Sequence, residues 1–221
     1  MILIVFATDT EAAPFKSLLR RMTGPELDVL VSGIGQVNTA RALTSYFERH
    51  TPRPDYVIMG GCAGAFKGSG LNIGDVCFAT EEIYADTGVN SPDGFLGLEA
   101  TGIPLAEIKG AKYYNRFPIP ALPDKIEHAM FLFKISSGPF ATVTAVTGTE
   151  AAAAGMEKMW GAVCENMEGA AAAHVSLLYG VPFAEVRGIS NMVEDRDRSL
   201  WDINTACANC AVIIKKLVEN L

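Results

Sequence analysis

Long apolar runs, clusters of basic residues and low-complexity tracts are all missing from this sequence of 221 residues. No apolar stretch approaches the roughly 20 residues that a membrane-spanning helix needs, which argues against a membrane protein. The formal net charge is −7 and no run of Lys or Arg offsets it locally, so nucleic-acid binding is disfavoured too. The N-terminal segment lacks the basic region of a signal peptide, and we expect a cytoplasmic protein.

Cysteine and histidine are too few and too scattered to indicate a disulfide framework or a metal site. The five cysteines are an odd number, which fits a reduced protein. Cys207 and Cys210 form a C-x-x-C pair inside a helical pattern, with no second pair nearby, so we expect two small buried apolar side chains. The histidines His50, His128 and His174 lie on separate segments. We therefore expect no metal ion and no cofactor.

The apolar content is sufficient for one well-packed domain that spans residues 1–221. Hydrophobic residues make up 49% of the sequence and charged residues 19%, the balance of a globular chain. Apolar, β-rich runs alternate with helical stretches as far as a last helix that begins near Asp202. This alternation predicts a mostly parallel sheet with helices on both faces. The Gly- and Pro-rich stretch from Asn90 to Pro123 is expected to leave the sheet, at a subunit contact.

Two glycine-containing segments come after predicted strands and have to be compared with nucleotide-binding motifs. "GIGQVN", residues 33–38, begins like a dinucleotide fingerprint, but Asn38 occupies the third glycine position. A tight strand-to-helix turn is the better interpretation. "GGCAGAFKGSG", residues 60–70, lacks the G-K-[ST] ending of a phosphate-binding loop. It is either a flexible loop or a turn where a ligand approaches backbone N–H groups.

Three polar residues stand at the carboxyl ends of predicted strands, where ligands bind in parallel sheets. Glu11 follows the first strand and is either a helix-capping acid or a general base. Glu168 precedes a run of alanines, where it either caps the helix or finds partners such as two ribose hydroxyls. Asn191 follows the predicted strand Val181 to Ile189 and is either a turn residue or a ligand. These positions can converge on one pocket.

Several segments occur together in an order that resembles the nucleoside phosphorylase and nucleosidase superfamily. They are "ATDTE", "SGIGQVN", "GGCAGAF", "ENMEGAAAAHV" and "VPFAEVRGISN", and they extend over nearly the whole chain. Within the superfamily, "ENMEG", "RGISN" and "RDRSLWDI" most resemble the futalosine hydrolase family of the alternative menaquinone route. The resemblance implies a three-layer α/β/α sandwich around a central mixed sheet. It also implies cleavage of an N-ribosidic bond by a homodimer or a higher homo-oligomer.

The resemblance assigns roles by position. Glu11 corresponds to the acid that activates water. Met167 lies under the sugar, and Glu168 binds its 2′- and 3′-hydroxyls. Asn191 replaces an aspartate that protonates N7 of adenine in methylthioadenosine nucleosidases, and no aromatic residue occupies the base-stacking segment, "TVTAVTG". The other substrate-binding residues that the resemblance implies are Cys62, Ala63, Gly64, Ala145, Val146 and Ser190.

Two departures from the superfamily's patterns favour one reaction. An amide at position 191 donates hydrogen bonds but gives no proton, which with the resemblance favours the 6-oxopurine hypoxanthine as the leaving base. An amide can also pair with adenine, so hydrogen bonding alone does not exclude adenine. Phosphorylases hold phosphate with arginines, one of them expected where this sequence has Met59. Their absence, together with Glu11, favours hydrolysis, with a nucleoside and water as substrates.

Two other functions stay open at this point. A nucleosidase for methylthioadenosine and adenosylhomocysteine would share most of these segments, and Asn191 argues against it. A non-catalytic nucleoside-binding protein could share the fold, because fold does not determine function. Such a protein would not need an acid at position 11, whereas this sequence has Glu11.

Overall fold

The computed structural model describes residues 1–19, 25–120 and 135–220. Within these ranges, and numbered in chain order, the strands are β1 (Ile2–Phe6), β2 (Leu27–Val31), β3 (Tyr56–Ala65), β4 (Val76–Tyr84), β5 (Gly88–Ser91), β6 (Gly94–Gly97), β7 (Ala106–Ile108), β8 (Ala111–Tyr113), β9 (Arg116–Pro118), β10 (Ser136–Thr142), β11 (Cys164–Asn166) and β12 (Phe183–Met192). The helices are α1 (Asp9–Leu19), α2 (Gln36–Arg49), α3 (Glu150–Trp160), α4 (Gly169–Tyr179) and α5 (Ile203–Val218). None of these helices is long and apolar enough to cross a membrane.

A mixed sheet of eight strands forms the centre of the molecule. Its strand order is β11-β10-β4-β12-β3-β1-β2, and β9 pairs with β4. The pairs β1–β2, β1–β3, β3–β12, β4–β10 and β10–β11 are parallel. The pairs β4–β12, β4–β9 and β3–β11 are antiparallel. The prediction of a central mixed, largely parallel sheet is confirmed.

Apolar side chains on the two faces of the sheet pack against different helices. Leu3 and Val5 of β1 belong to a buried cluster that includes residues of α2 and α4. Ile2, Ile4 and Phe6 belong to a second cluster, with residues of α1 and α5. A strand that is apolar at every position is thus buried on both sides, as the sequence predicted. The three layers are helices, sheet and helices.

The sheet closes on itself because β11 pairs with both β10 and β3. The strands β3, β12, β4, β10 and β11 therefore form a ring. The sequence did not predict this closure, since β11 is only three residues long and has no alternating pattern of apolar side chains. The ring places β11 beside the carboxyl end of β3.

Two predictions of local structure near the site are wrong. The glycine-rich segment was expected to be a loop or turn, but Gly60 to Gly64 lie inside β3, which continues to Ala65. The last strand was expected to end at Ile189, but β12 runs to Met192, so Ser190 and Asn191 are strand residues. Side chains that approach β3 closely explain its glycines.

The remaining predictions concern segments away from the sheet centre. Cys207 and Cys210 are buried and unpaired in α5, as expected. The stretch after Asn90 does leave the central sheet, with the hairpins β5–β6 and β7–β8, and returns to it at β9. Pro123 and His128 lie outside the described residues.

Candidate active site

A cavity of about 740 Å³ opens at the carboxyl ends of β1, β3 and β12. Loops that follow β10 and β11 form its other walls. All ten residues that the sequence suggested for the substrate site line this cavity: Glu11, Cys62, Ala63, Gly64, Ala145, Val146, Met167, Glu168, Ser190 and Asn191. Residues from five separate segments of the chain are thus brought to one place.

Glu11 has two structural partners, one on each carboxylate oxygen. Its Oε2 accepts hydrogen bonds from the backbone N and the Oγ1 of Thr8, at 3.0 and 2.9 Å, and its own N donates to Thr8 Oγ1 at 3.2 Å. This reciprocal pair is a capping box at the start of α1. Its Oε1 accepts from the backbone N of Cys62, at 3.1 Å, beside the cavity. Glu11 is therefore a helix-capping acid and a cavity-lining acid at the same time.

Glycine in β3 allows the carboxylate of Glu11 to lie this close to the strand. A Cβ atom at Gly61 would be 2.5 Å from Glu11 Oε1 and 2.7 Å from Arg187 Nη1. Both distances are shorter than real Cβ contacts, so any side chain at position 61 would displace one of these groups. The glycine-rich segment thus accommodates charged side chains from neighbouring elements.

Arg187, on β12, is the buried cation of the site. Its Nε donates to Glu185 at 2.7 Å, its Nη2 to Glu168 at 3.3 Å and its Nη1 to the backbone O of Cys62 at 3.1 Å. Glu11 Oε1 is 4.0 Å from the same guanidinium. Burial alone would lower the pKa of Arg187, but the surrounding carboxylates outweigh it and raise that pKa. One fixed positive charge thus orients three carboxylates.

A pair of buried carboxyl groups lies behind this cation. Burial and the neighbouring Glu185 raise the pKa of Glu82 well above its ordinary value. Glu185 Oε2 has no hydrogen-bond partner among the described residues. Thr142 Oγ1 donates to Glu82 at 2.7 Å. Burial also raises the pKa of Glu185, and the positive charge of Arg187 opposes that rise.

Glu168 immediately precedes α4 but does not cap it. Asn166 Oδ1 fills that role, because it accepts from the backbone N of Glu168 and of Gly169 at 2.9 and 2.7 Å. The carboxylate of Glu168 instead accepts from the backbone N of Gly35, at 2.9 Å, and from Arg187. The capping alternative is wrong for this side chain. The turn before α2, predicted from "GIGQVN", supplies one of its donors.

Asn191 reaches the cavity from a β-bulge. Ile189 pairs with Ala63 and Asn191 with Gly64, so Ser190 is an extra residue in β12. Ser190 Oγ is 2.8 Å from Asn191 Oδ1 and 3.2 Å from Ala63 O. Asn191 Nδ2 donates one hydrogen to Met192 O at 3.0 Å. The amide is therefore fixed in orientation, and its second N–H is available to a ligand.

Comparison with known proteins decides the family. Residues 9–219 match the sequence profile described as the phosphorylase superfamily. The chain belongs to this superfamily. Futalosine hydrolase of Thermus thermophilus is 34% identical over 210 residues, which cover 94% of this chain and 88% of that protein. Futalosine hydrolase of Acidothermus cellulolyticus is 36% identical over 80% of this chain and 68% of that protein.

A solved nucleosidase structure shares the fold. The 5′-methylthioadenosine/S-adenosylhomocysteine nucleosidase of Neisseria meningitidis, in complex with methylthio-immucillin-A, superposes with a TM-score of 0.81. The comparison covers 100% of this chain and 99% of that chain, at 21% sequence identity. The sequence-based resemblance to nucleoside phosphorylases and nucleosidases is confirmed.

Four charged or aromatic residues of the cavity were not predicted from the sequence, namely Glu165, Arg187, Arg196 and Trp201. Arg187 had a usable signal. Glu185 and Arg187 are two positions apart in an apolar strand and so point to the same face, where burial requires that they be paired. The guanidinium of Arg196 lies 4.9 Å from the centre of the Trp201 ring. Arg196 and Trp201 both belong to the loop after β12, where the sequence has no periodic pattern that indicates which way their side chains point.

Proposed function

We propose that this protein is an N-ribosidic hydrolase that cleaves futalosine to hypoxanthine and dehypoxanthine futalosine, a step of menaquinone biosynthesis. The observation that carries the proposal is the position of Glu11, whose carboxylate is held at the cavity wall beside Arg187 and Glu168. The two relatives at 34% and 36% identity, both named futalosine hydrolase, support the choice of substrate.

In the proposed reaction, Glu11 takes a proton from water as the base leaves. Departure of the base builds positive charge on the ribose, as at other glycosidic centres. In this proposal the negative charges of Glu11 and Glu168 stabilise that charge. Glu168 accepts hydrogen bonds from the 2′- and 3′-hydroxyls, and Met167 packs under the sugar. Arg187 and the N–H of Gly35 hold Glu168 in place for this contact.

The charge of the cavity supports water over phosphate as the nucleophile. Arg187 is surrounded by the carboxylates of Glu11, Glu168 and Glu185, so its positive charge is already balanced. A phosphate dianion would meet net negative charge there. Met59 is less informative than the sequence suggested, because its side chain is buried in the apolar cluster and does not line the cavity.

Asn191 is proposed to bind the departing base. Its free Nδ2 hydrogen can donate to N7 or O6 of a 6-oxopurine, while Ser190 and Met192 fix the amide. Donation of a hydrogen bond to the developing purine anion follows the logic of an oxyanion hole.

A second copy of the chain is proposed to cover the mouth of the cavity, in a cytoplasmic homodimer or higher homo-oligomer. Ile34 lines the cavity and is 56% exposed, and Val37 nearby on α2 is 83% exposed. Exposed apolar residues beside a site are typical of interaction surfaces. Light scattering is expected to give a mass of at least two chains, and a monomer at micromolar concentration would contradict this part of the proposal.

Hydrolysis of futalosine is expected to proceed at the same rate in phosphate buffer and in phosphate-free buffer. The assay measures released hypoxanthine and ribose 1-phosphate, with aminofutalosine and methylthioadenosine as alternative substrates. Formation of a ribose 1-phosphate product would show phosphorolysis. Preferential cleavage of methylthioadenosine would instead support a nucleosidase like the structural neighbour from Neisseria meningitidis.

A further inference from the structure

Two carboxyl groups lie together beneath the start of α4, those of Glu82 on β4 and Glu185 on β12, and are called the acid pair below. Both side chains are fully buried. A Cβ atom at Gly169, the first residue of α4, would lie 2.3 Å from Glu185 Oε2 and 2.5 Å from Glu82 Oε1. One oxygen of each carboxyl group therefore occupies the same small space, which a glycine leaves open.

The two members of the acid pair differ in their donors. Glu82 Oε2 accepts from Thr142 Oγ1 at 2.7 Å, and Asn166 Nδ2 lies 3.3 Å from Glu82 Oε1. Glu185 Oε1 accepts from Arg187 Nε at 2.7 Å, whereas its Oε2 finds no donor in the described part of the chain. A protonated carboxyl group donates one hydrogen bond. A proton on Glu82 would therefore supply the donor that Glu185 lacks.

The charges around the acid pair also favour one proton. Two ionised carboxylates in one buried site repel each other, and burial disfavours both. Arg187 is the cation that faces the acid pair, and it also contacts the carboxylate of Glu168. The other titratable groups that face the pair are Tyr84 and Cys164, and burial raises the pKa of each, so that both are neutral near pH 7. One guanidinium is thus balanced by two carboxylates even when one member of the pair is protonated.

Each member of the acid pair is connected to Glu168 through one intermediate residue. Glu185 binds Nε of Arg187, whose Nη2 donates to Glu168 Oε2 at 3.3 Å. Glu82 contacts the amide nitrogen of Asn166, whose Oδ1 accepts from the backbone N of Glu168 at 2.9 Å. The carboxylate and the backbone of Glu168 are thus held from two sides.

We propose that the acid pair holds one proton between its two carboxyl groups and thereby positions Glu168 for the ribose hydroxyls. The proton on Glu82 leaves Glu185 as the carboxylate that orients Arg187. Neither Glu82 nor Glu185 lines the cavity, so both are positioning residues. This inference rests on the proposed function, in which Glu168 binds the 2′- and 3′-hydroxyls, and adds the groups that hold Glu168 in place.

Infrared spectroscopy of the protein in D₂O at neutral pH tests for the proton. A protonated carboxyl group has a C=O stretch that a carboxylate lacks, and the difference spectrum of wild type minus Glu82→Gln is expected to contain this band. Glu81→Gln is the matched control, because Glu81 is the preceding residue of β4, points to the other face and pairs with Arg116. Its difference spectrum should lack the band. Absence of the band from the Glu82→Gln difference spectrum would overturn the proposal.

Kinetics with futalosine and 2′-deoxyfutalosine test the positioning. Glu185→Gln keeps the shape but removes the charge that orients Arg187. The ratio of kcat/KM for the riboside to that for the 2′-deoxyriboside is expected to fall by about 10-fold, the order for one hydrogen bond to a charged group. A loss of folded protein alone lowers both values equally and leaves the ratio unchanged.

Glu82→Gln is the conservative comparison. Its NH₂ group can donate to Glu185 as the protonated acid does, and its oxygen can accept from Thr142. The riboside ratio should therefore change by no more than about 3-fold, well below the loss for a charged contact. An unchanged ratio in folded Glu185→Gln, or equal losses in the two variants, would overturn the proposal.

The two measurements separate failure of this proposal from failure of the proposed function. The infrared spectra need no substrate, so they decide whether the acid pair holds a proton even if futalosine is not cleaved. If the band is present and futalosine is not cleaved, the protonated pair stands and the proposed substrate is wrong. If futalosine is cleaved and the band is absent, the substrate stands and the acid pair does not act as proposed.

Discussion

Replacement of Glu11 by glutamine is expected to lower kcat by about 10²- to 10⁴-fold, the range for loss of a general base. Glutamine has the same shape and is also accepted in a capping box. The contacts with Thr8 are therefore retained and KM should change little, whereas the melting temperature should fall modestly, because the amide NH₂ replaces the oxygen that accepts from Cys62 N and lies beside Arg187. Steady-state kinetics with futalosine and a thermal melt of the same preparation measure these three quantities. The substitution thus separates the two roles of Glu11.

Asp9→Asn is the matched control, since Asp9 is an exposed acid in the first turn of the same helix and pairs with Lys16. It removes one negative charge from α1 without touching the cavity, and its kcat should be close to that of wild type. Turnover by Glu11→Gln within a few-fold of wild type would indicate that Glu11 only caps the helix.

Replacement of Arg187 by methionine is expected to destabilise the fold and abolish measurable activity. Removing one partner of a buried ion pair costs about 3–5 kcal/mol, because the remaining charge is left without compensation. Here Glu185 and Glu168 would both lose their cation. For a chain of this length the loss corresponds to a fall in Tm of roughly 10 °C. Differential scanning calorimetry measures the shift, and hypoxanthine release measures the activity.

Two further variants test whether the loss of stability in Arg187→Met comes from uncompensated charge. Arg53→Met removes an exposed guanidinium that lies over the ring of Tyr179, and its Tm should stay within about 2 °C of wild type. Adding Glu185→Gln to Arg187→Met removes one of the uncompensated carboxylates and should recover part of the lost stability. If the double variant is no more stable than Arg187→Met, charge compensation is not what Arg187 contributes.

The layers of the fold were predictable from the sequence because burial determines them. A strand such as β1, apolar at every position, has to be covered on both faces, and the alternation with helices follows. The closing strand β11 was not predictable, since three residues have no periodicity and its pairing partner is distant in sequence. The boundaries of β3 and β12 were misplaced because glycine and polar residues usually end strands. In this structure the glycines of β3 and the polar residues of β12 face the cavity and one another.

Residues whose type and position indicate one chemical role could be predicted from the sequence. Residues that reach the site only through contacts formed in the fold could not. Glu11, Glu168 and Asn191 were identified by position and resemblance, and all three line the cavity. Their roles in the reaction stay predictions. Glu165 was overlooked because a single acid beside Asn166 has no pattern in the sequence. It lies beside Gly64 because β11 pairs with β3, and strand register is a property of the folded chain.

The capping box at the start of α1 has a consequence for the order in which the site is assembled. Thr8 and Glu11 are three residues apart, so the orientation of the acid is set as soon as the first turn of the helix forms. Gly64 of β3 pairs with Glu165 of β11 and with Asn191 of β12, and these three residues from distant parts of the chain come together only when the ring of strands closes. Loop closure costs conformational entropy that a local turn avoids. The entropic cost of building this site therefore falls on contacts between distant segments, including those of Glu168 with Gly35 and Arg187, and not on the orientation of Glu11 within its helix turn.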